Sequence, residues 1–171
     1  MKIGIYLGDI KKPQTYGQLT FELSFVNELL NFDTNHEFVF YYFGQKNIFK
    51  NHKNANFVCL KYYKKPEISL NPLCIKTYKT PLFSLNYRMK KDNINAAFFL
   101  VPYLHEHIEI PYFSAIRDVA HRILPHFPEF SRNRIFEKTD KKLNLFLTGA
   151  SGIITCNEVA KNDIKTIYDV I

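Results

Sequence analysis

At 171 residues, with 46% hydrophobic and 16% aromatic side chains, the chain has the length and composition of one folded domain, which excludes a disordered polypeptide. Its formal charge is +7, from 23 Lys and Arg against 16 Asp and Glu. The positive residues are scattered from Lys11 to Lys165 without an arginine-rich block, so no nucleic acid is expected as a partner. The excess reads either as a solvated lysine surface or as attraction to phosphates and acidic headgroups.

The first element is a strand, Lys2 to Leu7, a continuous apolar run suited to a buried parallel position, broken by Gly8 to Pro13. From Gly17 to Asn31, Leu19, Leu23, Val26 and Leu30 share one helical face with Phe25 and Leu29 beside them. Strands are expected at Glu37–Phe43 and Asn56–Leu60. Lys61 to Lys79 reads as loops around a short strand at Cys74–Tyr78, punctuated by Pro66 and Pro72. Pro81 is placed at the first turn of a helix through Phe83, Leu85, Tyr87 and Met89. Its basic end, Arg88, Lys90 and Lys91, suits either the helix dipole or an anionic membrane surface.

Strands follow at Ala96–Val101 and Tyr112–Ile116, then a helix over Asn133–Thr148 with Ile135, Leu143, Phe146 and Leu147 as its apolar positions. The strand Ile153–Cys156 leads to a helix capped by Asn157, with Glu158 in its first turn. This alternation predicts an α/β fold: a Rossmann-like, doubly wound, mostly parallel sheet flanked by helices.

Cys59, Cys74 and Cys156 are an odd number in apolar settings without a CxxC pair, which predicts reduced, mostly buried thiols in a cytoplasmic protein. No secretory leader is evident and no apolar run reaches the ~20 residues of a membrane span. The expected location is the cytoplasm, with room for peripheral contact at the inner face of the membrane. The sequence stops at Ile171 as the last helix should hand over to another element, which reads as a truncated end.

His105-Glu106-His107 lacks a third ligand at zinc spacing and reads as a surface loop, so no metal site is expected. Neither GxSxG, GxxxxGK[ST] nor GxGxxG is present, which weakens a flavodoxin-like enzyme reading and leaves no expected cofactor in this chain. Gln14-Thr15-Tyr16-Gly17 precedes the first helix, where free N–H groups suit an anion or an ordinary tight turn. Asp118 and His121 follow the strand end at Ile116. There the carboxylate can accept from sugar hydroxyls and the imidazole can act as acid or base, or the two can brace the loop.

Taken together, the chain resembles the N-terminal domain of a GT-B fold, family 4 (group 1) glycosyltransferase of the mannosyltransferase type. The resemblance rests on Lys2-Ile3-Gly4-Ile5 with Tyr16-Gly17, on Pro102-Tyr103, and on Ile116-Arg117-Asp118-Val119 with Phe127-Pro128-Glu129-Phe130. Ile153 to Ile164 completes it, similar to the family's hydrophobic–Ser–Glu–x–(Ser/Ala)–Lys–x–Asp segment. Arg117 stands where the family has histidine, Tyr16-Gly17 replaces Gly-Gly, and Asn157 replaces serine.

The resemblance implies that residues 1–171 are an acceptor-side domain, with a C-terminal donor-binding domain outside this sequence. It implies Asp118 and His121 as catalytic residues and Tyr16, Gly17, Tyr103, Arg117 and Glu158 as substrate-binding ones. Arg117 would hold a phosphate or carboxylate. The parent enzyme would use a GDP- or UDP-sugar donor, act with retention and without a metal, and build surface polysaccharide on a sugar, glycan or lipid-linked acceptor. This piece alone is expected to be inactive. The competing expectation is a stand-alone Rossmann-like binding or regulatory module.

Overall fold

The computed structural model describes residues 1–10, 16–44, 49, 55–67, 76–81, 84–103, 105–127 and 135–170. Six strands form one parallel sheet: β1 (Lys2–Ile10), β2 (Glu37–Gly44), β3 (Asn56–Leu60), β6 (Ala96–Phe99), β7 (Tyr112–Ile116) and β8 (Gly152–Thr155). Their spatial order is β3-β2-β1-β6-β7-β8. The chain therefore winds one way from β1 to β3 and the other way from β6 to β8, the order of a Rossmann-like doubly wound sheet.

Alternation along the strands sends side chains to opposite faces. Ile5, Leu7, Phe40 and Tyr42 form one core with Val26 of helix α1 (Tyr16–Asn31). Tyr6, Tyr41, Phe43 and Phe99 form the other core. That second core is covered by Leu85 and Met89 of α2 (Leu85–Lys91) and Phe146 of α4 (Ile135–Thr148). Each such large apolar side chain contributes about 1.5–3 kcal/mol on burial. A third cluster joins Ile116, Leu143 and Leu147 to Ile164 and Tyr168 of α5 (Glu158–Tyr168).

Several expectations are corrected. β1 does not stop at Leu7 but runs to Ile10, because a register shift between Tyr6 and Gly8 lets pairing with β2 resume. Gly8 permits this with φ of 91°, a left-handed conformation natural to glycine. On α1, Leu23, Phe25 and Leu29 pack half-buried beside Val26 as expected, but Glu22 is buried with them and Leu30 is exposed.

The middle is not loops around one strand. It pairs β4 (Tyr62–Glu67) with β5 (Lys76–Pro81) as a separate antiparallel sheet. Pro66 sits opposite Thr77 within it, which a two-stranded sheet tolerates because both strands are edges. Pro81 consequently ends β5, and α2 begins later, at Leu85. Ser84 supplies its cap, accepting from Tyr87 N at 3.2 Å. Cys59 is half-buried and Cys156 exposed rather than mostly buried, since Cys156 lies just past the last paired residue of β8. Cys74, Phe83 and the Pro128-Glu129-Phe130 motif lie outside the described residues.

The basic end of α2 is largely neutralised within the fold. Arg88 Nε bonds Asp92 at 2.8 Å, and Lys90 pairs with Glu109. Asp92 also accepts from Tyr41 Oη at 2.8 Å. Burial first, then that carboxylate, holds the Tyr41 phenol well above its ordinary pKa. Among the described residues, no helix is long and apolar enough to cross a membrane.

Candidate functional site

In an open parallel sheet, ligands bind outside the carboxyl ends of the strands where the winding reverses, here between β1 and β6. The β1 end is shaped by Gly8 and by the pairing of Ile10 with Gly44. Beside it, β6 runs into Leu100, Val101, Pro102 and Tyr103. Tyr103 is 1% exposed, with its ring edge-on to Tyr6 at 5.1 Å, so it serves as core floor beneath this edge. Tyr16 and Gly17 open α1, and the loop containing Gln14 and Thr15 lies outside the described residues.

Next along the edge, β7 delivers Arg117 and Asp118, both exposed. They line a groove of about 170 Å³ with Leu100, Pro102 and Leu143. The Arg117 guanidinium lies 6.0 Å from the Phe21 ring of α1, spanning from the β7 end to the helix beside the switch point. Its backbone oxygen accepts from Cys156 Sγ at 3.3 Å, which ties the ends of β7 and β8 together. Asp118 Oδ1 accepts from Ala120 N at 3.0 Å, bracing the start of the short helix α3 (Ala120–Ile123). Asp118 holds the turn through Oδ1, so Oδ2 can present an acceptor to the groove.

At the β8 end, Asn157 Oδ1 accepts from Ala160 N at 2.8 Å and caps α5 as its residue type requires. Glu158 is exposed and pairs with Lys161 one turn on, at 3.0 Å. It therefore extends along α5 in solvent.

His121 takes a different position. It is 8% exposed, with Nε2 3.0 Å from Tyr168 Oη and 3.3 Å from Asp140 Oδ1. Asp140 Oδ1 also accepts from Tyr168 Oη at 2.8 Å and pairs with Arg122 Nε at 3.0 Å. Burial first, then the Asp140 bond, keeps the Tyr168 phenol protonated far above neutral pH. The network joins α3, α4 and α5, so His121 and Asp118 are not brought together in the groove.

Asp140→Ala would strand the buried Tyr168 hydroxyl, the buried His121 Nε2 and the Arg122 charge. We expect a loss of about 2–3 kcal/mol in urea unfolding, against about 1 kcal/mol for Asp140→Asn, which keeps an acceptor oxygen. Equal unfolding midpoints for the wild type and the alanine variant would contradict this role.

Two polar residues near the sheet were not anticipated. Glu22 is 2% exposed on α1, one turn before Val26. Its spacing from Val26 was the available signal, outweighed by the leucines around it. Ser114 is fully buried on β7, and its Oγ has no hydrogen-bond partner among the described residues. No group of three or more His, Cys, Asp or Glu that could hold a metal occurs among the described residues. No protein-family model matches the chain, and no curated protein matches it. Chemically, the edge offers one guanidinium and one carboxylate on adjacent residues above an apolar floor, a set suited to an anionic group beside a hydroxyl-rich one.

Proposed function

We propose that this chain is the acceptor-side domain of a retaining glycosyltransferase, one half of a GT-B fold, working with a nucleotide-sugar donor. The observation that carries the reading is the exposed pair Arg117–Asp118 at the carboxyl end of β7, next to the sheet's switch point. The sequence resemblance at Ile116–Val119 and Ile153–Ile164 supports it, because both segments fall at neighbouring strand ends of one edge. In this reading Asp118 accepts hydrogen bonds from acceptor hydroxyls, and Arg117 holds a phosphate or carboxylate of a glycan or lipid-linked acceptor. His121 acts through the packing of α3 against α4 and α5, which holds the Asp118 turn in place.

The test uses the protein encoded by the whole reading frame that contains this sequence. Labelled GDP- and UDP-sugars are offered with membrane-extracted and soluble glycan acceptors, and transfer is counted. Asp118→Ala is expected to lower turnover on the order of 10²-fold with an unchanged circular dichroism spectrum. Absence of transfer from every donor, or full activity in the alanine variant, would sink the proposal.

A further inference from the structure

A second cavity, of about 440 Å³, lies between the segment after β6 and the outer half of α4. Its volume falls in the range of roughly 300–1,000 Å³ typical of small-molecule sites. Tyr103, Ile108, Tyr112 and Phe146 are buried and supply apolar walls, with Leu145 at the rim.

The wall formed by residues 105–109 is held in place from outside. Glu106 Oε1 accepts from Leu85 N at 2.6 Å and Asn86 N at 3.2 Å, capping α2 from a distant loop. Asn86 donates to the His107 carbonyl and accepts from Glu109 N at 3.0 Å. Tyr112 Oη is likewise committed to the Phe146 carbonyl. These polar groups are thus satisfied by the fold, and the cavity is preformed.

Lys142 lines the cavity as well and makes no ion pair among the described residues. Its charge acts on His105, whose ring lies 5.2 Å from Tyr103. Burial first, and then Lys142, lower the His105 pKa; Glu106 and Asp9 oppose this more weakly. Burial and Lys142 thus both favour the neutral imidazole, and Lys142 supplies the ammonium of the lining.

We propose that this cavity binds a small amphiphile, with an apolar body against Tyr103, Ile108 and Phe146 and one anionic group on Lys142 Nζ. The proposal does not depend on the transferase reading, since the cavity shares no residue with the Arg117–Asp118 groove.

Three probes with one apolar tail separate charge from hydrophobicity: sodium octanoate, octyltrimethylammonium and 1-octanol, each titrated below micelle formation by amide NMR. Octanoate is expected to bind at least about tenfold more tightly than the cation, shifting amides at residues 105–108 and 142–146. Lys142→Glu, a change at an exposed position of α4, is expected to leave the remaining amide spectrum folded and to weaken octanoate at least about tenfold. Equal affinities for the three probes, octanoate binding unchanged in Lys142→Glu, shifts centred elsewhere, or no binding at millimolar probe would each overturn it.

Discussion

Gly44→Ala is expected to destabilise the domain by about 3 kcal/mol or more and to loosen the carboxyl edge of the sheet. Gly44 has φ of 142°, which an alanine rarely adopts. A Cβ built there would lie 2.0 Å from the Ile10 carbonyl oxygen and 2.9 Å from its carbon. Those are backbone atoms of the paired strand, so relief requires separating the ends of β1 and β2. Gly152→Ala is the informative control. Its Cβ would meet the Phe113 ring at 2.8 Å, but that ring is 47% exposed and can swing aside. We expect less than about 1 kcal/mol there. Urea unfolding followed by circular dichroism distinguishes the two, and similar midpoints would refute the argument.

The other large effect is expected at Phe99, on β6 at the switch point. Its side chain is fully buried and its ring lies 5.4 Å from Tyr6, 5.3 Å from Tyr112 and 5.4 Å from Phe146. Phe99→Ala is expected to cost about 3–5 kcal/mol, from lost burial and from a void that surrounding rings fill only partly. Phe99→Leu should cost about 1–2 kcal/mol because more of the volume remains. Tyr103, Tyr112 and Phe146 also wall the larger cavity, so the alanine variant should show shifted amides there, as well as the lower midpoint. A midpoint within experimental error of the wild type would show that the aromatic cluster is not a stabilising hub.

Where apolar periodicity is strong, sequence and structure agree closely. Asn56–Leu60 and Tyr112–Ile116 are strands with the expected limits, and Asn157 caps the last helix as expected. Local rules suffice there, because a buried parallel strand must be apolar and a helix start needs an acceptor. The antiparallel pair of β4 and β5 escaped, since its lysines, tyrosines and prolines carry no clean alternation. The α2 start escaped for another reason. The N–H groups of its first two residues are held by Glu106, some 20 residues downstream, which no local window contains.

The candidate site divides the same way. That Arg117, Asp118 and Glu158 follow strands is legible in the order of residues. That His121 turns into a network with Asp140 and Tyr168 is not, because its partners lie 19 and 47 residues away. The doubly wound α/β class, the approximate places of the six parallel strands and the polar residues after them were thus written in composition and periodicity. The reversal between β1 and β6, the passage of β1 through Gly8, and the cavity bearing Lys142 were decided only in three dimensions. These depend on which strands pair and which distant carboxylates and amides meet, and such non-local contacts leave no signature in a run of neighbouring residues.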